Sequence, residues 1–125
     1  MFVGNAGHPH ARLQRALDRE DLPGAHAAAR DLDQVSLPDA FRLLLLIEKK
    51  AGDRFERAAV RFVARVAADT PTLTLNELQM LVGAVGALQG FAPQLALETI
   101  AGVADRHRQG MLGLAARRAI PGNGR

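Results

Sequence analysis

Arg54, Arg57, Arg61 and Arg65 stand three and four residues apart, the spacing that stacks side chains on one face of a helix. At about 100° per residue the four fall within an arc of about 80°. A guanidinium group meets phosphate or carboxylate with two parallel hydrogen bonds. The chemistry on offer is therefore recognition of anions, along a phosphate backbone or an acidic protein surface. Arg106 and Arg108 add cations nearer the C-terminus, and these six arginines are the candidate phosphate or acidic-partner contacts. Fourteen of the sixteen basic residues are arginine, so a row of them is also what composition alone writes on a solvated helix face.

Were the arginine helix to enter a DNA groove, the segments around 36–50 and 54–68, joined through Ala51 and Gly52, would form a helix-turn-helix. Base readout draws on Asn, Gln, Ser or Thr beside Arg, and residues 54–66 contain none of these. Non-specific phosphate contact is the form of nucleic-acid binding that this row allows, with the basic C-terminus contributing.

Other chemistry is thinly supplied. There is no cysteine or tyrosine, and the single serine, Ser36, precedes an apolar run where it reads as a helix cap rather than a nucleophile. Asp31 and Asp33 are two apart and diverge on a helix. No glycine-rich phosphate loop is present. His8 and His10 flank Pro9, while His26 and His107 stand alone, so the i, i+4 spacing of a helical metal pair is missing. These residues point to no catalytic site, no metal, no cofactor and no small-molecule ligand.

A second candidate surface is apolar. Leu78, Leu81, Val82, Val85 and Leu88 recur at helical spacing, with Gly83, Gly86 and Gly90 among them. A glycine inside a helix costs about 1 kcal/mol, which close approach of another helix would justify. The face Leu78, Leu81, Val82, Gly83, Val85, Gly86 and Gly90 is thus a candidate for helix packing or for the seam of a homodimer. All residues from 78 to 97 are uncharged, long enough to span a bilayer. Gly90 and Pro93 break the run into helices of soluble-protein length, which argues against insertion.

The elements that must position these residues follow from start and stop signals. Asp21 before Pro23, Ser36 before Pro38 and Asp39, Asp53 before Glu56, and Thr74 before Glu77 each place a capping side chain ahead of an apolar-periodic stretch. Ala92 and Pro93 open another. The helices so marked begin near 10, 21, 36, 53, 74 and 92, and the second runs to about Asp33. The helix from 36 to 50 is apolar nearly all round, through Ala40, Phe41, Leu43, Leu44, Leu45, Leu46 and Ile47, as a core helix is. Gly110 and Gly113 make Met111–Ala119 a doubtful further helix.

No stretch alternates as a strand does. The expected fold is all-α, a small bundle of five to six antiparallel helices, the spacing also admitting a short helical-repeat array. Residues 1–9 read as a flexible lead, 10–109 as one helical domain and 110–125 as a short, partly disordered basic tail. A chain of 125 residues with 48% hydrophobic content can bury one sizeable core. Lack of cysteine and of a signal-like N-terminus indicates a cytoplasmic protein.

The functional expectation is a non-catalytic helical protein–protein interaction or regulatory accessory module, working with another protein or as a homodimer. Acidic regions at 18–53 and 66–104 offset the basic ones, which favours that over the alternative, a nucleic-acid-binding protein using helix 54–65 and the C-terminus.

Overall fold

The computed structural model describes residues 8–122, and within them every regular element is helical. The α-helices are α1 (Pro9–Asp18), α2 (Leu22–Arg30), α3 (Leu37–Lys50), α4 (Phe55–Asp69), α5 (Leu75–Gly86), α6 (Pro93–Arg106) and α7 (Gly110–Arg118). Short 3-10 turns at Gly52–Arg54 and Ala87–Gln89 lead into α4 and out of α5.

The cap signals work as local chemistry. The Asp21 carboxylate accepts from the Gly24 N–H at 3.0 Å, and the Ser36 hydroxyl accepts from the Asp39 N–H at 3.3 Å. Thr74 and Glu77 complete a full capping box, each side chain accepting from the other's backbone N–H. Two signals play out differently. Asp39 turns its carboxylate to Gln14 Nε2 at 2.9 Å, away from its own helix end. Asp53 caps nothing, because the chain enters α4 through the 3-10 turn without a side-chain cap.

Helix α3 organises the interior. Leu37, Phe41 and Leu44 belong to the larger hydrophobic cluster with residues of α4 to α7, and Leu46 and Ile47 to a smaller one with α1 and α2. Phe41 meets Phe62 of α4 at a ring-centroid distance of 5.6 Å, within the favourable range for aromatic pairs. The one polar residue of the leucine run, Arg42, stays half-buried and donates to Gln14 and Asp18 of α1.

The described residues hold seven helices rather than the expected five to six. The addition is α7, in the segment 110–125 read as a short, partly disordered basic tail in which Met111–Ala119 made only a doubtful helix. Leu112, Ala116 and Ile120 are buried in the larger cluster, and a Cβ at Gly113 would lie 2.4 Å from Asp105 Oδ1 of α6. That glycine is a place of close helix approach, not a break. At the other end, residues 1–7 of the expected lead lie outside the described residues, while His8 caps α1, its Nδ1 accepting from the Ala11 N–H at 3.4 Å. Residues 123–125, with Arg125, also lie outside the description. Helix α2 stops at Arg30, short of Asp33.

Candidate interaction surfaces

The arginine row lies on α4 and the turn before it, on the flank opposite α5. Arg54, Arg57 and Arg61 are exposed, and among the described residues none has a carboxylate within ion-pair distance. Arg65 differs, because its Nε donates to Asp69 one helical turn on at 3.2 Å. Arg106 is engaged as well, its Nε donating to Glu77 Oε2 at 3.0 Å. Arg108 is exposed in the α6–α7 turn with φ of 61°, far from the row in sequence and element. The row thus has three open members, and the two C-terminal arginines belong to a different corner of the fold.

Two residues absent from the sequence-based set, one cation and one imidazole, lie beside that row. Helix α2 brings His26 and Arg30 opposite Arg54, forming a cleft of about 560 Å³ floored by Leu22, Pro23 and Ala29. Partial burial lowers the His26 pKa below its ordinary 6.5, and the fields of Arg30, Arg54 and Arg61 lower it further. The carboxylate next to Arg30 in sequence, Asp31, is taken by Arg12 at 2.7 Å. By contrast, the groove between α1, α3 and α7, about 590 Å³, has two of its three cations paired internally: Arg42 with Asp18, and Lys49 with Glu20 at 2.8 Å.

The apolar candidate face is divided by the fold. Leu81 and Val85 are each 1% exposed and belong to the core of their own chain, and Leu78 is half-buried beside them. Val82 stays 52% exposed, and Gly83, Gly86 and Gly90 lie at the surface. The close intramolecular approach expected at the glycines is absent: a Cβ at Gly83 or Gly86 would have no neighbour within 4 Å. Leu75, Gln79, Val82, Gly83 and Gly86 instead form an outward stripe covering about 100° of α5. That stripe borders a groove of about 500 Å³ between α4 and α5, walled by Val60, Val63 and Ala64 on one side and Leu78 and Val82 on the other. Glu56 is the only charged residue lining it.

A third constellation escaped the sequence. Thr72 Oγ1 lies 2.8 Å from His107 Nδ1, and His107 Nε2 lies 2.7 Å from Glu77 Oε1. A single proton on Nε2 satisfies both contacts, the ring donating to the carboxylate and accepting from the hydroxyl. The order hydroxyl, imidazole, carboxylate is that of a nucleophile relay. Here Glu77 is held at the same time by the Thr74 N–H and by Arg106, and none of the grooves described above reaches Thr72. The set ties the α4–α5 turn and the start of α5 to the end of α6. The Thr74–Glu77 spacing announced half of it, and nothing local marked His107 as its partner.

Among the described residues no three His, Asp or Glu side chains gather as metal ligands, and no helix is long and apolar enough to cross a membrane. No family model, curated protein or solved structure matches the chain.

Proposed function

We propose that the chain is a non-catalytic helical protein–protein interaction module that works as a homodimer, two copies meeting across the outer stripe of α5 and the adjoining α4–α5 groove. The observation that carries this reading is the open space over Gly83 and Gly86 beside exposed Val60 and Val82. Two helix-interior glycines are costly, and no contact of their own chain accounts for them. A two-fold interface sets each residue against a copy of the same patch, so any concentrated charge there would face its like. A stripe free of charge, with Glu56 at the margin of the groove, meets that condition.

The helices are read as one small bundle in a single domain. In a repeat array each unit touches only its neighbours. Here α7 returns to pack against α3, and α3 contributes to both hydrophobic clusters.

Sedimentation at micromolar concentration tests the dimer. Wild type is expected to sediment as a dimer and Val82→Glu as a monomer of unchanged helicity; a monomeric wild type overturns the proposal.

The unpaired state of Arg54, Arg57 and Arg61 favours a second reading, non-specific nucleic-acid binding. Its test is retention on labelled DNA against salt, compared with Arg57 and Arg61 both changed to Glu. A steep salt dependence that the double change removes supports it, and no retention at low salt ends it.

A further inference from the structure

We propose that the cleft between α2 and the start of α4 binds a small anion carrying two or more linked phosphate groups, held by Arg30, Arg54 and His26, with Arg61 at its edge. The site goes beyond the dimer proposal, for it lies on the flank of α4 opposite the α5 stripe and shares no residue with it.

The cations of this cleft are left unmatched. Of the three cations that line the α1–α3–α7 groove, two are paired with carboxylates of the same chain, Arg42 with Asp18 and Lys49 with Glu20. Around His26 the arrangement is the reverse. Arg30 comes from the last turn of α2, Arg54 from the turn before α4 and Arg61 from α4 itself. No ion pair of these three is formed among the described residues, and Asp31 is drawn away by Arg12. The acidic neighbours of Arg54 and Arg57 along the chain, Asp53 and Glu56, are exposed and also form no ion pair there. Gathering like charges from three elements is unfavourable in the free protein, and an anion in the cleft would relieve it.

Shape and donor type narrow the ligand. The cleft is an open depression of about 560 Å³ lined by α2 residues and Arg54 alone, so it suits a compact anion better than an extended strand. Guanidinium groups pair with phosphate oxygens through two parallel hydrogen bonds, and guanidiniums from opposite walls suit a ligand with oxygens on two linked phosphates. Leu22, Pro23 and Ala29 give the cleft an apolar floor, on which an organic group attached to the phosphates could rest. His26, half-buried at the centre, becomes a donor from both ring nitrogens once protonated, so a bound anion should hold its proton to higher pH.

The test uses the full chain and pyrophosphate as probe, by titration calorimetry at low salt, with the His26 ring followed by NMR. Binding is expected, together with a rise in the pH at which His26 titrates. Arg30→Gln and Arg54→Gln should each weaken binding about tenfold or more, while Arg57→Gln and Arg65→Gln, outside the cleft, should leave it unchanged. All four residues are at least partly exposed, so loss of fold does not confound the comparison. A nucleoside triphosphate that binds more tightly than pyrophosphate would place an organic group on the apolar floor. Equal binding would leave the phosphates as the whole determinant, and either result sustains the site. Absence of pyrophosphate binding overturns the proposal. So does binding lost equally in the Arg57 variant, or a single-stranded oligonucleotide that binds where pyrophosphate does not, since each would assign the cations to the open row.

Discussion

His107 Nε2 lies 2.7 Å from Glu77 Oε1, and through that contact the residue that follows the end of α6 is fixed to the first turn of α5. The Thr74 N–H, then Arg106 and His107, hold the Glu77 carboxyl down from its ordinary 4.5 to about 2. A carboxyl depressed in the folded chain stabilises it fully above the unfolded value and loses that contribution as pH falls through the folded one. Stability should therefore decline between about pH 4.5 and 2. Urea midpoints measured across that range check this, and Glu77→Gln should flatten the part of the decline that this carboxyl causes. An unchanged acid profile in the variant would remove Glu77 from the account.

Phe41 is fully buried against Phe62. Phe41→Ala should cost about 3–5 kcal/mol, a large share of the roughly 5–15 kcal/mol that holds a domain together. Leu44→Asp places an unpaired charge in the same cluster and should prevent folding. Circular dichroism of both variants reads the outcome, and a folded, soluble Leu44→Asp protein would show that α3 is not interior.

Gly83→Ala should raise monomer stability by up to about 1 kcal/mol, since a helix-interior glycine gains a methyl with no neighbour within 4 Å. The same change should weaken the proposed dimer by holding the two α5 helices apart. Melts made dilute enough for the monomer to predominate should therefore rise while sedimentation at higher concentration shows weaker association. A rise in melting temperature without loss of association would place the dimer contact elsewhere.

Ending the chain after Gln109 should abolish cooperative unfolding, because Leu112, Ala116 and Ile120 leave the larger cluster with α7. Stability equal to that of the full chain would mean that α7 is dispensable.

Thr74→Ala removes the acceptor for the Glu77 N–H and one side of the capping box. A loss of about 1 kcal/mol is expected, measured as a shift in denaturation midpoint.

Local signals were legible in the sequence, and their partners across the fold were not. Asp21, Ser36 and Thr74 act within their own helix ends, so spacing alone revealed them. The apolar girth of α3 likewise announced a buried helix. Gly113 misled because its reason is tertiary: it admits α6 near Asp105, and without that neighbour it reads as a breaker. The arginine row was visible as a face, yet the pairing of Arg65 with Asp69 and of Arg106 with Glu77 removed two members that spacing could not separate from the rest. His26, Arg30 and Arg54 line one cleft only because α2 and the turn before α4 both lie against α3, a fact that no periodicity encodes. Spacing marked Gly83 and Gly86 as positions of close helix approach, and among the described residues no neighbour lies within 4 Å of a Cβ at either.

The double allegiance of α3 makes the molecule's failure modes unequal. If α1 and α2 peel away, Leu46 and Ile47 become wet while Phe41 and Leu44 keep their partners in the larger cluster; if the α4 to α7 side dissolves, α3 keeps only the small cluster, which is too little apolar burial to stand alone. Dependence therefore runs in one direction, and amides of the N-terminal hairpin should exchange with deuterium through a shallow opening that the rest of the protein does not share.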